Sequence, residues 1–219
     1  MYLSRIALNP HRRETMQALN SPNMLHGAIE RSLDLDGQRK LWRVDWLGDT
    51  CYLLLLSAVP PDFAHIAEQF GYTREQRPWE TKDYTPLLNR LRPGQAWRFR
   101  LRANPVHSSK ENHESSSRGK VFAHVTQEQQ KKWLLERTKA CGFALNENEF
   151  DVVETHWSRF LKHTDGDHKV TLCTAAFEGV LTLTDCEYFK TALLTGIGRA
   201  KAYGCGLLTI AQLKDGRNE

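Results

Sequence analysis

Apolar residues in this chain switch between the two-residue repeat of a strand and the 3.6-residue repeat of a helix. They do so in the same order on both sides of Arg92-Pro93-Gly94. Met1 to Asn9 reads as a strand closed by Asn9-Pro10. A basic helical stretch follows from His11 to Leu19, and a second helix is expected to start with Ser21 as N-cap and Pro22 at its first position. Leu25, Ala28, Ile29 and Leu33 form the buried stripe of that helix, which leaves His26 and Glu30 off it. Leu41 to Trp46 alternates, with Trp42, Val44 and Trp46 on one face. Gly48-Asp49 turns the chain, and Cys51 to Ser57 returns as a strand apolar enough to be buried on both sides. Asp62 caps a helix carrying Phe63, Ile66, Ala67 and Phe70, which Gly71 stops. Residues 72–91 must hold the closing strand, but their mixed pattern does not locate it.

Past the Arg92-Pro93-Gly94 break the order recurs. Trp97, Phe99 and Leu101 share one face of a strand, and Arg98, Arg100 and Arg102 share the other. Residues 107–120 are polar and read as a loop with cations at Lys110, Arg118 and Lys120. Gln127 to Lys139 reads as a helix, and Asp151 to Phe160 with Val170 to Thr184 as the arms of a long hairpin. Asp185 caps a last helix through Leu194, ahead of a final strand. Two successive β-α-β-β-α-β units predict an α+β protein of two tandem ferredoxin-like (RRM-like) domains, 1–92 and 96–219, a pattern found among RNA-binding folds.

Composition narrows the function classes. A net charge of +4 over 219 residues is compatible with nucleic acid without requiring it. Five cysteines, an odd number with no C-x-x-C pair, argue for incidental thiols in a reducing compartment and against a zinc site or disulfide frame. The run from Tyr52 to Val59 is too short to span a bilayer, and residues 1–8 are too short and polar for a signal peptide. The expectation is a cytoplasmic protein that uses no membrane. Nothing in the sequence forms an ATP site or a nucleophilic Ser/Cys triad.

One further stretch stands out: Gly196-Ile197-Gly198-Arg199-Ala200-Lys201-Ala202-Tyr203-Gly204-Cys205-Gly206. Glycines let backbone N–H groups approach an anion, and Arg199 and Lys201 suggest phosphate. A tight structural turn that packs a helix on a sheet explains the glycines equally well. The spacing fits neither a P-loop nor a dinucleotide fingerprint.

Several of these strings together resemble the CasE family, the repeat-processing CRISPR-associated endoribonucleases of the type I-E Cascade, within the RAMP superfamily. They are Met1-Tyr2-Leu3-Ser4, Phe99-Arg100-Leu101-Arg102-Ala103-Asn104-Pro105, Phe177-Glu178-Gly179-Val180-Leu181 and the glycine loop. They run in order from residue 1 to about residue 210. The resemblance implies two ferredoxin-like domains that bind the stem-loop of a CRISPR repeat. It also implies metal-independent cleavage at the base of that stem, with no cofactor. The 2′-hydroxyl attacks the scissile phosphate, leaving a 2′,3′-cyclic phosphate and a 5′-hydroxyl. The product stays bound within the effector complex, so the implied partners are repeat RNA and other Cascade subunits, with a monomer when free.

The family's catalytic histidine matches His26. A side chain that titrates near neutrality suits proton transfer to or from an oxygen. The family tyrosine three residues earlier is Asn23 here, and a cation found next to the histidine in some relatives is Gly27. His26 would then act alone, with Arg31 or Lys201 stabilising charge on the phosphorane. The basic hairpin resembles the family element that enters the RNA groove, with Arg159, Lys162 and Lys169 as phosphate contacts. The glycine loop would add Gly196, Gly198, Arg199, Lys201, Gly204 and Gly206.

Alternatives stay open at this level. The face with Arg98, Arg100 and Arg102 needs a negative cover; RNA phosphate is the expected one, ahead of an acidic patch from the other half. Trp42, Trp46 and Trp133 fall on apolar stripes and are expected in the core. His156, His163 and His168 share the hairpin, which admits a metal-dependent nuclease although no spacing supports one. The loss of the family tyrosine at Asn23 admits a non-catalytic RNA-binding subunit.

Overall fold

The computed structural model describes residues 1–33, 40–72, 79–109, 120–162 and 168–213. The first half runs β1 (Tyr2–Leu8), α1 (Arg13–Asn20), α2 (Pro22–Arg31), β2 (Leu41–Leu47), β3 (Thr50–Ser57), α3 (Ala64–Phe70), β4 (Trp79–Asp83) and α4 (Thr85–Arg90). Its antiparallel sheet has the order β2-β3-β1-β4. The strand that the sequence pattern does not locate is β4: four of its five residues, Glu80 to Asp83, are exposed, so it carries no apolar alternation to read. Helix α3 starts one residue later than Asp62 capping would place it: Phe63 is the N-cap and makes no side-chain capping bond, while Asp62 just before it accepts from the Ala64 N–H at 2.9 Å; Gly71 ends the helix.

In the second half the order is β5 (Ala96–Ala103), β6 (Val106–Ser109), β7 (Lys120–Ala123), α5 (Gln127–Thr138), β8 (Phe143–Ala144), β9 (Phe150–Lys162), β10 (His168–Leu183), α6 (Cys186–Thr195) and β11 (Leu208–Gln212). Strands β11, β5, β10 and β9 lie side by side, and β8 pairs with the end of β10. Each half thus places its first and third principal strands at the centre, and the protein is α+β with tandem ferredoxin-like units. The stretch read as a loop at 107–120 includes a short hairpin, since β6 pairs with β7. Lys110 and Arg118 lie outside the described residues. Helix α5 starts in a capping box between Thr126 and Gln129, and Asp185 caps α6 by accepting from the N–H groups of Glu187 and Tyr188.

Each sheet has a core, and one core crosses the seam between the halves. Leu25, Ala28 and Ile29 of α2 pack on Cys51, Leu53 and Leu55 of β3. The opposite face of β3 and its neighbour contribute Leu56 and Leu41 to the core of the second half, beside Phe99, Phe177 and Leu208. This is why Cys51 to Ser57 reads as an unbroken apolar run: both of its faces are covered. Burying a leucine this way contributes about 1.5–3 kcal/mol. Trp42 and Trp133 are buried as expected, but Trp46 is 51% exposed. It lies at the end of β2, where the last two residues both stand open, and alternation alone does not report where a strand outruns its covering layer.

The seam also holds a polar network. Arg43 of β2 is buried and gives all its donors to protein. It donates to Asp45 at 2.7 and 2.6 Å, to the Arg100 and Leu207 carbonyls at 2.9 and 2.8 Å, and to the Thr209 hydroxyl at 2.8 Å. Burial pulls its guanidinium below the ordinary value, against the opposing pull of Asp45. One side chain thereby ties β2 to β5 and to the strand that follows the glycine loop.

Candidate functional site

Helix α2 begins at Pro22, as the sequence predicts, although the Ser21 side chain makes no capping bond. Leu25, Ala28 and Ile29 fix its buried face, so His26 emerges at the edge with 31% of its side chain exposed. Its Nδ1 is buried and lies 3.5 Å from Glu30 Oε1, close enough for an ion pair but outside hydrogen-bond geometry. The other Glu30 oxygen pairs with Lys40, whose side chain is 11% exposed. A carboxylate beside Nδ1 favours the tautomer that carries its proton there, with the lone pair on Nε2. The helical pattern already sets Glu30 beside His26 off the buried stripe, without giving it a role; Lys40 is a site neighbour that no sequence signal names. Gly27 is exposed with open space where a side chain would stand, and Asn23 is half-buried.

The glycine loop reaches α2 from the other half. All four of its glycines and Ala200 have positive φ. At Gly196 a Cβ would stand 2.7 Å from a Leu41 methyl, and at Gly204 3.0 Å from the Trp42 ring. The bare backbone at these two positions is therefore required for docking onto β2, and the structural reading accounts for them. Lys201 Nζ donates to the Thr195 carbonyl at 2.7 Å, tying the loop to the end of α6. The 3₁₀ turn Lys201–Tyr203 packs on α2 and β2, and Tyr203 meets Phe160 of β9 edge-on at 4.9 Å. Helix α2, the glycine loop and the β9–β10 hairpin are thus contiguous. A cleft of about 210 Å³ between them is lined by Asn20, Pro22, Trp46, His156 and Tyr203.

The predicted cations divide into two groups. Arg31, Arg98, Arg159, Lys169 and Arg199 are exposed and have no carboxylate partner among the described residues. Lys120 is exposed on β7. Arg100 and Arg102 correct the expectation that their strand face is left for phosphate. Arg100 pairs with Glu178 and lies 3.1 Å from Asp45, and Arg102 pairs with Glu154 at 2.8 Å. The cover comes from β2 of the other half, from the adjacent β10 and from β9 beyond it. The side chains of Lys162 and His168, with His163, lie outside the described residues. Among the described residues no group of His, Cys, Asp or Glu side chains could hold a metal ion, and no helix is long and apolar enough to cross a membrane.

Comparison with known proteins agrees with this architecture. The CRISPR-associated endoribonuclease Cse3 of Thermus thermophilus is 30% identical over 96% of this chain and 100% of its own length. The Cascade subunit CasE of Escherichia coli is 32% identical over 74% of this chain and 75% of its own. A structure of the endoribonuclease Cse3 bound to a 19-nucleotide RNA superposes with a TM-score of 0.78 at 26% identity, over 97% of this chain and 100% of that one. The CRISPR associated protein family profile matches residues 1–212, and with the same tandem fold and end-to-end relatives beside it, the chain belongs to that family.

Proposed function

We propose that this protein is a metal-independent endoribonuclease. It binds the stem-loop of a CRISPR repeat, cuts the precursor RNA and remains on the mature guide as a Cascade subunit. The observation that carries the reading is the convergence of α2, the glycine loop and the basic hairpin on one surface, in a chain matched over nearly its full length by an RNA-bound endoribonuclease. His26 takes the proton from the attacking 2′-hydroxyl or gives one to the leaving 5′-oxygen. Glu30 orients the imidazole from Nδ1. Arg31 or Lys201 stabilises charge on the phosphorane, since the positions of the family's tyrosine and cation are Asn23 and Gly27. Arg159, Lys169 and Arg199 contact the phosphates, with Arg98, Lys110, Arg118, Lys120 and Lys162 as outer contacts. The backbone of Gly196, Gly198, Gly204 and Gly206 supports the loop that presents Arg199. We divide the chain at 92–96, His26 in the first domain and the hairpin and loop in the second, and place the protein in the cytoplasm, monomeric when free.

The test is cleavage of a labelled repeat RNA in excess EDTA. The wild type is compared with His26→Ala and with a substrate carrying a 2′-deoxy sugar at the cut site. The expected result is one cut by the wild type, and binding without cleavage in the other two reactions. Tight binding without cleavage by the wild type makes this a scaffold subunit, and cleavage that survives His26→Ala means the base lies elsewhere.

A further inference from the structure

A separate pocket of about 250 Å³ lies where the end of β5, the later turns of α5 and the Gly198–Arg199 corner of the glycine loop meet. It shares no lining residue with the cleft beside α2. Two polar atoms of its lining residues are buried without a hydrogen-bond partner among the described residues: the Asn104 side-chain oxygen, an acceptor, and Trp133 Nε1, a donor. Buried polar atoms are nearly always paired, so both call for a bound group. The Arg137 guanidinium stacks over the Trp133 ring at 4.0 Å and donates to the Trp133 carbonyl at 2.6 Å. Its neighbouring carboxylate, Glu136, is 3.9 Å away, at the limit of an ion pair. Arg199 stands exposed at the same pocket, and the rings of His107 and His124 lie 4.8 Å apart, tilted by 38°. Burial holds His124 below the usual histidine range, and His107, Arg137 and Lys132 add to this against Glu136.

We propose that this pocket seats one ribose-phosphate unit of the RNA, with its phosphate on Arg137, Arg199 and Trp133 Nε1 and its 2′-hydroxyl on the Asn104 oxygen. The inference rests on the RNA-binding reading above but on neither His26 nor cleavage. A phosphate only accepts hydrogen bonds, so it serves the donor set and leaves the Asn104 oxygen unmet. The adjacent 2′-hydroxyl supplies the missing donor, and a DNA backbone has none. A bound water could satisfy the two orphan atoms without neutralising either guanidinium.

Single 2′-deoxy substitutions walked through a labelled repeat RNA, away from the cut site, test this with wild type, Asn104→Ala and Arg137→Gln. At one nucleotide the substitution should weaken wild-type binding about three- to tenfold, the worth of one hydrogen bond, and should have no effect on Asn104→Ala. Arg137→Gln should lower the slope of log affinity against log salt by about 0.7–0.9, the signature of one lost phosphate contact. Either arm failing returns the pocket to water: no sensitive nucleotide, the same sensitivity in Asn104→Ala, or an unchanged slope. Should Asn104→Ala not fold, the slope of Arg137→Gln, a partly exposed side chain, decides alone. Cleavage of the same RNA by the wild type is read in parallel. Its loss with the coupling retained sinks the nuclease reading only, and its retention without coupling sinks this one only.

Discussion

Two sets of arginines in this molecule meet opposite fates. Arg43, Arg100 and Arg102 sit on the strands at the seam, where Asp45, Glu178 and Glu154 reach them. Arg31, Arg159 and Arg199 sit on a helix, a hairpin and a loop of one contiguous surface, with no carboxylate partner among the described residues. A guanidinium whose donors are taken up by the protein has little left for phosphate, and desolvating it again for a ligand gains nothing. The distribution of carboxylates, not the density of cations along the chain, separates a surface built to hold itself together from one left open for RNA.

The seam is where this contrast breaks most violently. Arg43→Ala leaves the buried Asp45 carboxylate with Arg100 as its one remaining cation among the described residues and removes the donors to the Arg100 and Leu207 carbonyls and to the Thr209 hydroxyl. The expected loss is about 3–5 kcal/mol, read from urea or thermal unfolding. Replacing both partners, Arg43→Met with Asp45→Leu, should recover most of it; a double variant as unstable as the single would mean the loss is one of shape and not of stranded charge. Gly204→Ala comes next. A Cβ at φ +77° and 3.0 Å from the Trp42 ring should cost about 1–3 kcal/mol and loosen the loop from β2. A melting temperature equal to that of the wild type would return the glycine to a pure phosphate-binding role.

The sequence disclosed much of this fold and less of the seam. Leu25, Ala28 and Ile29 repeat at helical spacing because their helix has one covered face, and that same stripe identified His26 as an edge residue. The run from Cys51 to Ser57 reported burial on both sides without saying what covers the second face. Alternation sets Arg43 and Asp45 opposite Trp42, Val44 and Trp46 and signals nothing more, since the partners of Arg43 include Arg100, Leu207 and Thr209, far along the chain. The arginine face of β5 was assigned to phosphate for the same reason: alternation records which side a residue takes, not what arrives to meet it. Four glycines in one loop were ambiguous until Leu41 and Trp42 stood against two of them.

The smaller effects sharpen the contrast on binding as well as stability. Arg102→Gln removes a partly exposed pair with Glu154 and should cost about 0.2–1 kcal/mol, with no change in the salt dependence of RNA binding. Arg159→Gln should do the reverse. Its side chain is exposed on β9, so stability should move by no more than about 0.5 kcal/mol. The slope of log affinity against log salt should fall by about 0.9, the value for one contact to a duplex stem. Binding measured between low and moderate salt separates the two variants without any need for cleavage. If Arg102→Gln flattens the slope and Arg159→Gln does not, the carboxylate rule fails and the seam, not the hairpin, faces the RNA.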